Sequence, residues 1–362
     1  MAAEFNLCRI SLKAFVLQII VIPSTRWPPP GGTCYPARLT SIQAPGMISE
    51  IPCVDIQSGT SSVSDPDIAD ALDQALTTHG FCYIRGHDVD AGRIGRILEF
   101  NHVFHALPKE NKLELAVNRF HRGYIGKNES QTVTSSVTPA TQPNQSESFM
   151  VMQPVCPDHP RWGSAIFGPN QWPDTLIPEF RMTCLDYLNA MQALAYGLTQ
   201  RIGVALGLGP DAFTKWFTEP TLFLRLLRYP ALSPSDHRDQ FGSAPHTDHG
   251  FLTLVAQDAT NGLEVQTSEG RWISVPPLEN AFVLNVADML SVISGGRWPS
   301  TPHRVVLNER ERYSVAFFFD PNFDAAIYPM LPTDPPNREG LQVHYGEYLM
   351  ERFDKNYLYR DT

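Results

Sequence analysis

Between residues 223 and 319 the chain breaks into short β-type runs, each closed by a turn: residues 223–229, 251–257, 263–266, 272–275, 281–286, 303–307 and 313–319. Each run is too short for an ordinary helix, and most are rich in β-branched and aromatic side chains. Many short strands at close spacing can bury their apolar faces only by stacking two sheets or closing one, so this half folds as a sandwich or a barrel.

The preceding half has a helical pattern. Asp65 is placed to cap a helix whose first position is Pro66. Ile68, Ala71, Leu72, Ala75 and Leu76 then recur at helical spacing until Gly80. Strands are expected over 51–56 and 81–84, and a second helix over 91–104, which must stop before Pro108. A long helix is expected over 178–206. Its stripe of Leu185, Leu188, Met191, Leu194, Leu198, Ile202 and Leu206 reads as core rather than as a cofactor surface. Residues 120–146, rich in Ser, Thr, Gln and Pro, read as a long surface loop. The expected class is α+β, with a helical layer outside an all-β core. The expected organisation is an extension over 1–46, a helical and strand region over 47–210 and a β core over 211–362, the last two together one domain.

Charge narrows the partners. The 362 residues carry 28 Lys and Arg against 38 Asp and Glu, a net charge of −10. Such a surface repels phosphate backbones, so no nucleic-acid partner is expected. No apolar run is long enough to cross a bilayer, so no membrane partner is expected either. The six cysteines are scattered without close pairs, which reads as reduced thiols in a reducing compartment. The first forty-six residues differ in texture. Between Glu4 and Glu50 there is no acidic residue, while Arg9, Lys13, Arg26 and Arg38 are basic. An apolar run over 14–22 faintly resembles a secretory signal, and the basic composition suits a mitochondrial presequence. The reading adopted is a poorly ordered extension with Met47 as an alternative start, in a monomeric cytoplasmic protein, with a mitochondrial location as the alternative.

The chemistry centres on Pro245-His-Thr-Asp-His-Gly250. On an extended strand His246 and Asp248 point to one face. His303 opens a later strand. Two imidazoles and one carboxylate occupy one face of an octahedron and leave three positions open, the ligand set of non-haem iron(II). His249 points the opposite way and is left out. Arg312 and Ser314 share a strand face. The turn at 308–310 is read as joining their strand to that of His303 in a hairpin, which sets them beside the metal. A guanidinium fork with an adjacent hydroxyl suits a carboxylate. The competing reading is a surface Arg312 paired with Glu309 or Glu311.

Together, His246-x-Asp248, His303 and Arg312-x-Ser314 resemble the motif set of the iron(II)/2-oxoglutarate-dependent dioxygenases of the isopenicillin N synthase-like group. The likeness runs from Ile51 onward through residues 80–84, 169–173, 224–230, 285–288, 300–305 and 320–323. It implies a double-stranded β-helix (jelly roll) with helices around it, and iron held by His246, Asp248 and His303. It also implies 2-oxoglutarate held by Arg312 and Ser314 with Tyr229, O2 as oxidant, and ascorbate as an optional reductant. Plant members often carry Asn two places before that tyrosine, where this chain has Leu227. Asp288 is expected to be structural. The implied reaction is hydroxylation or desaturation of a small, apolar metabolite with release of succinate and CO2, in a pocket involving Phe149, Leu224 and Phe318. The alternatives are a 2-oxoglutarate-independent oxidase or cyclase of the same group, and a non-catalytic ligand-binding relative.

Overall fold

The computed structural model describes residues 50–57, 61–131, 142–232, 240–331 and 341–360. It also gives the backbone of a small antiparallel ladder, β1 (Gln43–Ala44) with β2 (Met47–Ile48). The rest of the expected extension over 1–46 lies outside the described residues.

The helices follow from local chemistry. In α1 (Pro66–His79), Asp65 accepts a hydrogen bond from the Asp67 backbone N–H at 3.1 Å, as an N-cap does. Gly80 ends the helix at φ +63°, and an added Cβ would stand 2.2 Å from the Pro299 carbonyl oxygen, so only glycine fits. The helices α2 (Ala91–His105), α3 (Lys109–Leu113) and α4 (Phe180–Ala205) follow. On α4 the residues Leu188, Met191, Leu194, Leu198 and Ile202 are buried, as the stripe demanded. Short α5 (Asp288–Ile293) and C-terminal α6 (Tyr345–Asn356) complete the set among the described residues.

Two sheets form the β core. The strands β3 (Cys53–Asp55), β4 (Phe81–Arg85), β5 (Gly123–Ile125), β6 (Glu147–Met152), β7 (Pro220–Tyr229), β9 (Leu252–Gln257), β12 (Phe282–Val286) and β14 (Arg312–Asn322) join in the order β3-β4-β12-β9-β14-β7-β6-β5. The smaller sheet has the order β11-β10-β13-β8, from β8 (Phe241–His246), β10 (Leu263–Gln266), β11 (Trp272–Ser274) and β13 (His303–Val306). A final small ladder joins β15 (Ala326–Ile327) to β16 (Val343–His344). The two sheets enclose one apolar cluster that includes Leu227, Tyr229, Val265, Val283, Val305 and Ala316. The helices and the outer face of the large sheet enclose another, built around residues such as Phe104, Phe149, Leu224, Leu226 and Phe317. The fold is the α+β jelly roll with its helical layer outside.

Two expectations about strand pairing and loops fail. The strands of His303 and Arg312 do not form a hairpin: β13 pairs with β10 and β8, whereas β14 pairs with β7 and β9. The turn between them carries the chain from one sheet to the other. The segment 120–146 is not all loop, since β5 falls inside it and Ser130 bridges to Tyr357; residues 132–141 lie outside the described residues. Among the cysteines, Cys53, Cys82 and Cys184 are buried free thiols. Cys156 is disulfide-bonded, so the expectation of reduced thiols does not hold for it.

Candidate metal centre

Cross-strand pairing builds the centre. His246 is the last residue of β8 and His303 the first of β13, and the two are register partners. Their rings stand 4.3 Å apart between centroids. Asp248 lies just beyond β8, in a loop tied to the end of β12 and the start of α5. The Asp288 N–H donates to the Asp248 carbonyl at 2.8 Å and the Met289 N–H to the Gly250 carbonyl at 2.8 Å. Turn geometry, not strand alternation, therefore aims the carboxylate. Asp248 Oδ1 sits 3.8 Å from His246 Nε2 and 3.7 Å from His303 Nε2. One ligand atom from each of the three lies within 4.8 Å of the others.

Each ligand is oriented from behind. His246 Nδ1 faces the Ala244 carbonyl at 2.8 Å, and His303 Nδ1 faces that of Thr301 at 3.2 Å. A carbonyl only accepts, so each Nδ1 carries the hydrogen and each Nε2 presents its lone pair inward. Asp248 Oδ2 accepts from Thr253 Oγ1 at 2.6 Å and Asn285 Nδ2 at 2.8 Å, leaving Oδ1 for an ion. Burial and then the neighbouring His303 lower the His246 pKa to about 3. The Asp248 carboxyl also sits below its usual value: burial pushes it up, but His303, His246 and the Thr253 and Asn285 donors outweigh that. A neutral His246 imidazole beside an ionised Asp248 carboxylate is the state in which such side chains bind a cation.

His249 stays outside this cluster. Its Nδ1 is 3.7 Å from Asp288 Oδ2, and that carboxylate also accepts from the Tyr348 hydroxyl at 2.7 Å. Asp288 thus fastens α5 to α6, in keeping with a structural part.

Arg312 is buried on the inner face of β14, 2% exposed. Its Nη1 lies 3.3 Å from Ser314 Oγ and its Nη2 donates to Gln257 Oε1 at 2.8 Å. The guanidinium carbon rests 4.9 Å from the centre of the Tyr229 ring. Tyr229 is its register partner on β7, as Leu227 is that of Ser314. No carboxylate reaches Arg312 among the described residues, and its Nε is buried without a partner. Glu311 instead pairs with Arg228. A buried, incompletely satisfied guanidinium is costly unless an anion completes it, so Arg312 fits the carboxylate of a dicarboxylic acid.

The cavity over Asp248 and His246 is lined in part by Met150, Phe223, Arg225, Phe318 and Phe353. Phe318 is where the sequence placed it. Phe149 and Leu224 are not: both are fully buried in the outer cluster, Phe149 against Phe104 at 4.4 Å between ring centroids. Alternation assigns the inner face to their neighbours Met150 and Phe223. Sequence reasoning also missed the orienting residues Thr253 and Asn285 and the Arg312 partner Gln257. It missed Arg225 and Asp320 in the cavity wall as well. The one available signal was a charged residue, Arg225, inside the otherwise apolar run of residues 222–227.

Residues 220–321 match the 2OG-Fe(II) oxygenase superfamily, and residues 51–175 match the non-haem dioxygenase in morphine synthesis N-terminal family. The chain is 32% identical over 335 residues to a homoarginine-6-hydroxylase of Glycine max, covering 86% of this chain and 98% of that protein. It is 33% identical over 326 residues to clavatol oxidase claD of Penicillium crustosum, covering 85% and 96%. A full-length Neurospora crassa protein, solved in complex with alpha-KG and thymine, superposes with a TM-score of 0.73 at 27% identity, covering 86% of this chain and 98% of that one. A likeness that spans nearly the whole length of such enzymes leaves one reading: this is an oxidoreductase using iron(II), 2-oxoglutarate and O2, and the chain belongs to the 2OG-Fe(II) oxygenase superfamily.

Proposed function

We propose that the protein hydroxylates or desaturates a small metabolite, with His246, Asp248 and His303 holding the iron and Arg312, Ser314 and Tyr229 holding 2-oxoglutarate. The observation that carries this reading is the convergence of three oriented side chains within 4.8 Å of one another, Asp248 and His303 buried and His246 half-buried. When bound, iron and 2-oxoglutarate together supply an oxidising equivalent from O2 and release succinate and CO2.

The chain's own residues do the rest. His246, Asp248 and His303 would hold the iron as three protein ligands, a set that leaves coordination positions for co-substrate and oxygen. Arg312 supplies a bidentate partner for the distal carboxylate, and the hydroxyl of Ser314 adds a third contact. Met150, Phe223, Phe318 and Phe353 keep water from the reacting carbon and set which C–H is presented.

The relatives named above act, by their names, on homoarginine and clavatol, and the solved neighbour holds thymine. That range supports a small organic substrate. The apolar lining expected from the sequence is only part of the cavity, since Arg225, Asn356 and Asp320 also line it. The test is succinate release from labelled 2-oxoglutarate by the iron-loaded protein, with a metabolite extract as the source of substrate and product mass as the second readout. Product formed at full rate without 2-oxoglutarate would move the protein to the oxidase branch.

A further inference from the structure

Two guanidiniums sit on the inner face of one β ladder. Arg312 pairs across the ladder with Tyr229, and Arg225 lies four residues back along β7, opposite Ala316. Four residues of extended strand separate the two by about 13 Å. Arg312 lies at the closed end, packed on Tyr229. Arg225 lines the cavity beside the metal ligands.

Arg225 is held but not neutralised. Its Nε donates to Ser148 Oγ at 3.0 Å, and its guanidinium carbon stands 5.9 Å from the Tyr357 ring centre. No carboxylate pairs with it among the described residues. The other titratable groups of the wall that are not metal ligands make no ion pair with it among the described residues. Burial lowers the pKa of His121 well below the usual range, and the positive charge of Arg225 adds to that, so His121 is neutral. Asp320 is tied to the Phe251 N–H at 2.9 Å and the Tyr345 hydroxyl at 2.7 Å. Its pKa is raised by burial to about 7.

The charges around the metal are already matched. Iron(II) and Arg312 together bring three positive charges, and Asp248 with the two carboxylates of 2-oxoglutarate brings three negative ones. Arg225 is left over, a cation in a half-enclosed wall among Met150, Phe223, Phe318 and Phe353. Such a group calls for an anion, and a fork of N–H donors fits a carboxylate best.

Resting on the oxygenase reading above, we propose that the prime substrate is a carboxylic acid with an apolar or aromatic body. Its carboxylate sits on Arg225, and its body lies against Phe223, Phe318 and Phe353. The C–H to be oxidised is then held at a fixed distance from the acid group.

The test uses a panel of aryl and alkyl carboxylic acids, each matched with its primary amide. Binding to the iron- and 2-oxoglutarate-loaded protein under nitrogen is read by intrinsic fluorescence, and stimulation of succinate release is read in air. The expected result is that acids bind at least about tenfold more tightly than their amides, a difference of ~1.4 kcal/mol. Arg225→Gln should erase that preference and Arg225→Lys should restore part of it. Amides binding as well as acids to the unaltered protein would overturn the proposal, and that comparison needs no variant to fold. An acid preference surviving in Arg225→Gln would also overturn it. A matching rise in the 2-oxoglutarate Kd of Arg225→Gln would assign Arg225 to the co-substrate instead, with the same effect. If the iron-loaded protein neither bound 2-oxoglutarate nor released succinate with any source of substrate, the oxygenase reading would fail, a result distinct from the loss of acid preference.

Discussion

His246 and His303 are cross-strand partners, one closing β8 and the other opening β13, so adjacent backbones bring both imidazoles to one point. Metal affinity therefore depends on the ladder as well as on the side chains.

The first prediction concerns the ligands and their support. His246→Ala, Asp248→Ala and His303→Ala should each abolish turnover and iron(II) retention while leaving the circular dichroism spectrum unchanged. Asn285→Ala frees Asp248 Oδ2 from one donor, and should weaken iron binding by about 10–100-fold. His249→Ala should be far milder, because its contact is with Asp288. Titration with iron(II) under anaerobic conditions separates these outcomes, and full activity in any of the three alanine variants removes that residue from the centre.

A second prediction concerns the co-substrate. Arg312→Lys keeps the charge but loses the fork and the packing on Tyr229, so the Kd for 2-oxoglutarate should rise about tenfold or more with metal binding intact. Ser314→Ala removes one hydrogen bond and should cost on the order of 1 kcal/mol, about fivefold in Kd. Equal 2-oxoglutarate affinity in Arg312→Lys and the parent protein would rule out the clamp.

The third prediction rests on close packing. An added Cβ at Gly250 would stand 1.5 Å from Asp320 Oδ1. Gly250→Ala must therefore push Asp320 off the Phe251 N–H and the Tyr345 hydroxyl. That leaves buried polar groups unpaired, at a cost of roughly 1–3 kcal/mol. A melting temperature unchanged from the parent would show that the loop yields without penalty.

Acid stability supplies the fourth. Glu147 is buried, accepts from Lys112 Nζ at 2.7 Å and the Tyr124 hydroxyl at 2.5 Å, and pairs with Arg228. Burial alone would raise its pKa, but the Lys112 and Tyr124 donors outweigh it and bring the carboxyl down to about 2 from 4.5. A carboxyl depressed on folding gives stability that is full above its unfolded value. That stability is lost as pH falls from about 4.5 toward about 2, on the order of 3 kcal/mol in all. Glu147→Gln should be less stable at pH 7 and should lose less on acidification. Urea unfolding at pH 7 and pH 3.5 measures both, and parallel losses in the two proteins would contradict the assignment.

The sequence was most legible where the signal is local. Asp65, Pro66 and Gly80 bounded α1, and the apolar stripe bounded α4 to within two residues at each end. The clustering of His246, Asp248 and His303, and of Arg312 with Ser314, was legible from spacing and residue type. What failed needed non-local information. A turn between His303 and Arg312 looks the same whether it closes a hairpin or crosses between sheets, because distant strands choose the partners. Phe149 and Leu224 were assigned to the wrong face because β6 and most of β7 are buried on both sides. Hydropathy then carries no alternation to mark which side is inward.

The first half of the chain supplies both margins of the eight-stranded sheet, β3 and β4 beyond β12, β5 and β6 beyond β7. Strands synthesised late must therefore slot between strands synthesised early. Contacts of such long sequence separation make folding slow, and the early strands wait with bare edges until the rest of the chain arrives. Severing the chain near residue 210 would leave two pieces with unmatched ladders rather than two domains. The same stitching protects the finished enzyme: the β14 strand that carries Arg312 cannot be exposed by fraying at either margin, only by cooperative opening of the whole sheet.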